Sequence, residues 1–175
     1  MSKGEALSEW QIRNIHSLVL KGIDAEEAGR YRRENVVIAG ASTIPPDFMH
    51  LSADMAALIG WYETAGDTHS VERAAELHTR FVKIHPFVDG NGRTGRLLLN
   101  FELMKAGYPP AIIRKEDRLA YYDSLDKACV SGDYGDITRL VAESVQRSLD
   151  TYLDVLGLRH APALDTAPPS PGFRT

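Results

Sequence analysis

The sequence predicts an all-α fold: a helical bundle around one buried central helix, with a single short β-hairpin. Apolar residues recur at helical spacing through most of the 175 residues. One segment, residues 97–104, is apolar on nearly every side, which indicates a helix that is buried on every side. The one strand signal is the β-branched run Val36-Val37-Ile38, which lies before Gly40.

Capping and breaking residues set the predicted helix boundaries. The first helix begins after Ser8, because Gln11 completes a capping box with it, and Gly22 ends the helix. Its predicted apolar stripe comprises Trp10, Ile12, Ile15, Leu18 and Val19. Further helices are predicted at about residues 47–65 and 70–84, then the central helix up to Gly107, then at about 116–130 and 134–157.

The predicted β-hairpin covers residues 35–45, and we call this segment the flap. Pro45-Pro46 ends it and starts the next helix. We expect residues 1–158 to form one domain, since a chain of this length can bury a core of its own. Residues 159–175 are rich in proline and poor in large apolar residues, so we expect a flexible tail there.

Composition excludes several classes of protein. Twenty Lys and Arg residues against 24 Asp and Glu give a net charge of −4, which argues against a nucleic-acid partner bound through bulk charge. The single cysteine, Cys129, excludes an internal disulfide and a four-cysteine zinc site. No apolar run reaches the roughly 18–20 residues that span a membrane. No signal peptide follows the polar start, so we expect a cytoplasmic protein without a membrane partner.

Residues 85–96 hold the residue types that phosphate chemistry needs. Gly90, Asn91 and Gly92 form a tight turn that runs directly into the central helix. The first N–H groups of a helix have no partner inside it and carry a partial positive charge, so this turn is a candidate anion site. Arg93 and Arg96 are three residues apart at the start of the same helix and share a face that suits a polyphosphate.

Two further side chains of this segment suit catalysis. Asp89 is a carboxylate beside the proposed phosphate site, and Mg²⁺ usually takes one or two carboxylates plus phosphate oxygens. His85 is a candidate general base for a hydroxyl group, because imidazole titrates near neutral pH. The combination predicts transfer of a phosphate-bearing group to a hydroxyl. Taken singly, each residue also fits an ordinary polar loop between two helices.

The segment His85 to Arg96 resembles the signature of the Fic family, His-x-Phe-x-(Asp/Glu)-Gly-Asn-Gly-Arg-x-x-Arg, without a mismatch. The resemblance covers about residues 8–157 and includes the Gly29-Arg30-Tyr31-Arg32 stretch, the flap and Tyr121-Tyr122. It is strongest toward the metazoan endoplasmic-reticulum members of the family and their bacterial relatives. It implies a Fic fold and a protein adenylyltransferase, which moves AMP from ATP to a hydroxyl side chain of a target protein and releases pyrophosphate.

The resemblance also implies residue roles near the reacting phosphate. His85 would deprotonate the target hydroxyl, and Asp89 would bind the Mg²⁺ cofactor. The backbone amides of Gly90, Asn91 and Gly92, together with the Asn91 side chain, would stabilise the phosphoryl oxygens. The glycine at position 92 favours AMP transfer, since members that act as kinases carry Lys there.

Other implied contacts lie further from the reacting phosphate. Arg93 and Arg96 would clamp the β- and γ-phosphates, and Tyr122 would line the adenine pocket. Where close relatives often have an adenine-binding Asn, this chain has Cys129, so the contact to the base is not specified. The target protein would dock as an added strand on the flap, at Val36, Val37 and Ile38.

Many Fic enzymes are inhibited by a helix with the motif (Ser/Thr)-x-x-x-Glu-(Gly/Asn), which this sequence lacks. Its nearest match is Glu34-Asn35, and the residue four positions earlier is Arg30. The inhibitory helix could come from a separate antitoxin-like chain or from a segment outside this sequence, or the enzyme could be unrestrained. A nucleotide- or peptide-binding module without turnover, transfer of UMP or phosphocholine, and a homodimer all stay open.

Overall fold

A computed structural model describes residues 7–158, and six α-helices make up most of this part of the chain. The helices are α1 (Glu9–Val19), α2 (Leu51–Thr64), α3 (Ser70–Ile84), α4 (Asn91–Lys105), α5 (Arg118–Ser131) and α6 (Gly135–Val155). Single 3₁₀ turns lie at Phe48–His50 and Ala65–Asp67. Across residues 7–158, no helix combines the length and the apolar character needed to cross a bilayer. The tail predicted at 159–175 lies outside the described residues.

The capping box predicted for α1 is confirmed. Ser8 N–H donates to Gln11 Oε1 at 2.8 Å, and Gln11 N–H donates to Ser8 Oγ at 3.4 Å. The predicted apolar stripe is only partly correct, because Trp10 and Leu18 are 71% and 70% exposed. A polar residue, His16, takes a place on the buried face of α1 beside Ile12.

Helix α4 lies centrally and packs mainly against α3 and α1. Gly95 lets α3 approach closely, since a Cβ atom there would lie 2.9 Å from His78 Nδ1. The prediction that α4 is buried on every side is wrong, because Leu97 is 49% exposed and Met104 is 55% exposed. The neighbouring helices cover only part of its circumference, so apolar composition alone overestimates its burial.

A buried charge lies in the second half of α4. Glu102 is fully buried, and its carboxylate accepts hydrogen bonds from Arg73 Nε at 2.7 Å and from the Tyr62 hydroxyl at 2.5 Å. A buried carboxylate is tolerated when it is both paired and hydrogen-bonded. This cluster joins α2 and α3 to α4 at the end away from residues 85–90, the connection between α3 and α4 that we call the motif loop.

The flap is an extended loop and not a β-hairpin. No strand pairing occurs within residues 7–158, and the flap reverses direction through a turn in which Ala41 N–H donates to Ile38 O at 3.2 Å. The N–H groups of Ser42 and Thr43 both donate to the Asp126 carboxylate at 2.9 Å. The β-branched run therefore indicated extended backbone correctly, but α5 and not a second strand provides the partner.

The buried histidine on α3 makes stability depend on pH. His78 is fully buried, its Nε2 lies 2.6 Å from the Tyr121 hydroxyl, and burial lowers the pKa of its imidazole to about 4. Below pH 6.5 the unfolded chain binds a proton at this residue and the folded chain does not. We expect this residue to remove about 3 kcal/mol from the free energy of unfolding between pH 6.5 and pH 4.

The measurement is denaturant unfolding across that pH range for the parent protein and for His78→Gln. The variant should lose less stability on acidification, because glutamine does not titrate. The exposed His50→Gln variant is the control and should follow the parent. Equal pH dependence in all three proteins would contradict the assignment.

Candidate active site

A left-handed residue at the end of α3 sets the position of the candidate base. His85 caps the helix with φ 51° and ψ 57°, and within residues 7–158 it alone has a positive φ without being glycine. Its ring Nδ1 lies 3.2 Å from Val82 O. A carbonyl oxygen only accepts hydrogen bonds, so Nδ1 carries the proton and Nε2 keeps a free lone pair.

The protonation state of His85 suits a base. Burial is the main cause that lowers the pKa of its imidazole, and the positive charge of Arg32 acts in the same direction. The Val82 carbonyl and the Asp89 carboxylate oppose this shift but do not cancel it. The imidazole is therefore neutral at pH 7, the form that accepts a proton.

The first turn of α4 leaves backbone N–H groups without a side-chain cap. Gly90 is its N-cap with φ 80° and ψ −2°, and no side chain caps the helix. The first hydrogen bond of the helix runs from Thr94 N–H to Gly90 O at 2.9 Å. The N–H groups of Asn91, Gly92 and Arg93 therefore have no acceptor inside the helix, as the anion-site prediction requires.

The side chain of Asn91 braces the motif loop. It is buried, it accepts from Phe87 N–H at 3.0 Å, and its Nδ2 donates to Phe87 O at 2.8 Å. Both halves of its amide are thus occupied within the loop. A direct contact from this side chain to phosphoryl oxygens stays a prediction, whereas the Asn91 backbone N–H has no acceptor inside α4.

A second histidine, which the sequence analysis missed, holds the loop from α1. His16 is fully buried; its Nδ1 accepts from Gly29 N–H at 2.9 Å, and its Nε2 donates to Asp89 O at 2.9 Å. Its ring stacks on Phe87 with centroids 3.6 Å apart. The sequence does contain a sign of this role: His16 lies four residues after Ile12, on the buried face of α1, and a buried polar group needs hydrogen-bond partners.

Arg93 and Arg96, the two arginines at the N-terminus of α4, lie beside other residues of the candidate site. Arg93 Nη2 contacts Asp89 Oδ2 at 2.8 Å, and the two side chains are 39% and 72% exposed. The Arg96 side chain extends toward the N-terminus of α4, since a Cβ atom placed on Gly92 would lie 3.4 Å from Arg96 Nη1. Its positive charge acts on Tyr121, a buried phenol whose pKa nevertheless rises to about 12, chiefly through burial.

A cavity of about 400 Å³ adjoins the start of α4. Its lining includes His85, Gly92 and Arg96, together with residues 38–41 and 43 of the flap. The wall on α5 includes Tyr122 and Cys129. Five of the eleven predicted site residues therefore line one cavity: Ile38, His85, Gly92, Arg96 and Tyr122. Asp89, Gly90, Asn91 and Arg93 belong to the same loop and helix start but do not line it.

Two predicted flap residues lie outside that cavity. Ile38 lines it, whereas Val37 is 90% exposed and Val36 is half-buried without lining it. Cys129 is buried in the wall, and its burial raises the pKa of the thiol to about 11, so the thiol stays protonated. An uncharged thiol is a weak hydrogen-bonding group, which leaves the recognition of a base at this position unspecific.

A resident metal cage is absent from the described residues. Residues 7–158 contain no group of three His, Cys, Asp or Glu side chains arranged to hold a metal ion. Asp89 offers a single, largely exposed carboxylate at the helix mouth. This donor set fits a Mg²⁺ ion that arrives with phosphate oxygens as its other ligands.

Residues 85–96 lie within a longer part of the chain that matches a known protein family. Residues 6–103 match the model of the Fic/DOC family. The chain belongs to the Fic/DOC family. The resemblance drawn from residues 85–96 is therefore confirmed.

Relatives of known name agree with this membership. The chain is similar to the curated "Protein adenylyltransferase Fic" of Culex quinquefasciatus, at 43% identity over 155 residues, covering 87% of this chain and 30% of that protein. The protein of the same name in Drosophila mojavensis is 43% identical over 144 residues, covering 81% of this chain and 28% of that protein. The chain thus spans about 30% of the length of these curated relatives.

The fold agrees with solved Fic structures. Fic-1 from C. elegans superposes with a TM-score of 0.81 at 34% identity, covering 91% of this chain and 47% of that chain. The predicted all-α Fic fold is confirmed by this match, with the β-hairpin as the exception already described.

The contacts of His16 predict a stability effect. His16→Leu would bury the Asp89 carbonyl and the Gly29 N–H without partners, so we expect a loss of roughly 2–5 kcal/mol in the free energy of unfolding. The exposed Asn14→Leu change on the same helix should leave it nearly unaltered. Equal stability of the two variants in urea unfolding would show that His16 does not hold the loop.

Proposed function

We propose that this Fic domain is a protein adenylyltransferase that transfers AMP from ATP to a hydroxyl side chain of a target protein. One observation carries the proposal: a neutral imidazole with a free Nε2 lines the same cavity as Gly92 and Arg96 at the uncapped start of α4. The curated relatives carry the name of this activity. An anion site and a base at one cavity are the two elements that such a transfer requires.

The start of α4 would bind the triphosphate. The N–H groups of Asn91, Gly92 and Arg93 face charge that builds up on the phosphate oxygens, and the helix dipole adds to their effect. Arg93 and Arg96 would hold the β- and γ-phosphates, with Arg93 leaving the Asp89 carboxylate to do so. Asp89 would then be free to hold Mg²⁺, which supplies further neutralisation of phosphate charge when bound.

The transfer itself needs one proton acceptor. His85 Nε2 takes the proton of the target hydroxyl, while the proton on Nδ1 stays with Val82 O and fixes the ring. The hydroxyl oxygen forms a bond to the α-phosphorus, and the bond from that phosphorus to the bridging oxygen breaks. The electron pair leaves with pyrophosphate, and the target carries AMP through a phosphodiester bond.

The cavity beside the phosphate site would receive the base. Tyr122 is 55% exposed and offers a ring face at its wall, which suits stacking on adenine. The flap would receive the target as an added strand, because its backbone is extended and it has no strand partner within residues 7–158. An inhibitory chain that supplies a carboxylate would act on Arg96, which takes part in none of the ion pairs within residues 7–158.

The first test is the pH dependence of AMP transfer. Because the pKa of His85 is lowered below 6.5, kcat/KM should be constant near neutrality and fall only below pH 6.5. Labelling of protein by ATP with a radioactive α-phosphate reports the rate, and His85→Ala should abolish it at every pH. Transfer that persists in His85→Ala would remove this residue as the base.

A second test separates nucleotide binding from chemistry. Arg96→Ala removes a charge-assisted contact to the triphosphate, so we expect the Kd for ATP to rise about 10- to 100-fold. Calorimetry measures this, with Arg139→Ala as control, because Arg139 pairs with Asp136 on α6 and does not line the cavity. An unaltered Kd in Arg96→Ala would contradict the assignment, whereas ATP binding without transfer to any lysate protein would favour a binding module.

A further inference from the structure

Arg32 is a buried cation to which the proposed AMP transfer has so far assigned no role. Its side chain is 2% exposed, although it carries a positive charge. Its Nε donates to His85 O at 2.9 Å, and its own backbone N–H donates to Pro86 O at 2.9 Å. Arg32 therefore bonds the carbonyl groups of both the candidate base, His85, and the next residue, Pro86.

The end of α3 explains why these carbonyls need a donor. The last carbonyl groups of a helix have no N–H partner inside it, and the left-handed turn at His85 ends α3 abruptly. Arg32 Nη2 also approaches Ile84 O at 3.5 Å. A guanidinium at this end is favourable, because the helix C-terminus carries a partial negative charge.

The same guanidinium reaches both ends of the flap. Its Nη1 donates to Glu34 O at 2.9 Å, and its Nη2 donates to Pro46 O at 2.6 Å. These carbonyls bracket residues 35–45, the flap itself. Because the guanidinium is planar with fixed N–H directions, one rigid group sets the distance between the flap ends and the His85 backbone.

We propose that Arg32 is a positioning residue that fixes the His85 imidazole relative to the flap, so that a hydroxyl presented there meets the base. This inference rests on the proposed AMP transfer with target docking on the flap. Arg32 does not line the cavity and takes no part in binding the nucleotide. Its removal therefore affects the transfer rate and target docking, and leaves ATP affinity unaltered.

The test compares Arg32→Met with Arg33→Met. Methionine keeps much of the side-chain volume but donates no hydrogen bond, and Arg33 is the exposed neighbour that serves as control. A misplacement of about 1 Å at a reacting group costs roughly 100-fold in rate, so we expect kcat to fall by about that factor in Arg32→Met. The KM for the acceptor used, a lysate protein that the parent labels, should rise, and the Kd for ATP should equal that of Arg33→Met.

Arg32→Lys keeps the proposal testable if Arg32→Met does not fold. Lysine retains the charge and three donors but lacks the planar fork, so we expect a partial loss of roughly tenfold, the effect of one hydrogen bond. If both variants fold and both keep the wild-type kcat, the proposal is overturned. If only Arg32→Lys folds, a wild-type kcat in that variant overturns it. A loss of ATP affinity equal to the loss of kcat would also overturn it, since that result indicates general damage.

A spectroscopic readout separates this inference from the proposed function. The ring Cε1–H signal of His85, assigned by its absence in His85→Ala, should shift or broaden in Arg32→Met and stay in place in Arg33→Met. If the parent protein transfers no AMP, the proposed function fails while this signal still tests the position of the imidazole. An unaltered His85 signal in Arg32→Met would overturn the positioning role by itself.

Discussion

The left-handed backbone at His85 is the constraint on which the rest of the site depends. It ends α3 within a single residue and allows α4 to begin at Asn91, six residues later. Such a conformation is unfavourable for a residue with a Cβ atom and persists only where surrounding contacts over-determine it. Those contacts are present on each side of the turn. The base and the anion-binding helix mouth are neighbours because the chain turns so sharply between them.

Buried polar side chains from distant parts of the chain satisfy the backbone of this turn. Arg32 bonds the carbonyls that follow α3, His16 bonds the Asp89 carbonyl, and Asn91 bonds both backbone groups of Phe87. A loop that buries its backbone needs such partners, since water does not reach it. These side chains leave the N–H groups at the start of α4 free for a ligand. The loop is thus rigid where it supports the site and unpaired where it would bind phosphate.

Burial gives the histidines of this domain different roles. It lowers the pKa of His16, His78 and His85, so all three are neutral at pH 7. His16 uses both ring nitrogens within the fold, on Gly29 and Asp89, and His78 uses its Nε2 on the Tyr121 hydroxyl. Only His85 has a ring nitrogen left for substrate while lining the cavity. The candidate base is therefore distinguished by its surroundings and not by its pKa alone.

The sequence by itself determined the family, the helices and the content of the motif, because residues 85–96 are contiguous and helical periodicity is local. It also identified the Ser8 capping box, which spans four residues. Tertiary structure decided the conformation of the flap, whose partner is Asp126, more than 80 residues away. It likewise decided the roles of His16 and Arg32, which contact the motif across separations of 73 and 53 residues. Local sequence patterns do not predict such pairings, because these contacts form only when helices from different parts of the chain pack together.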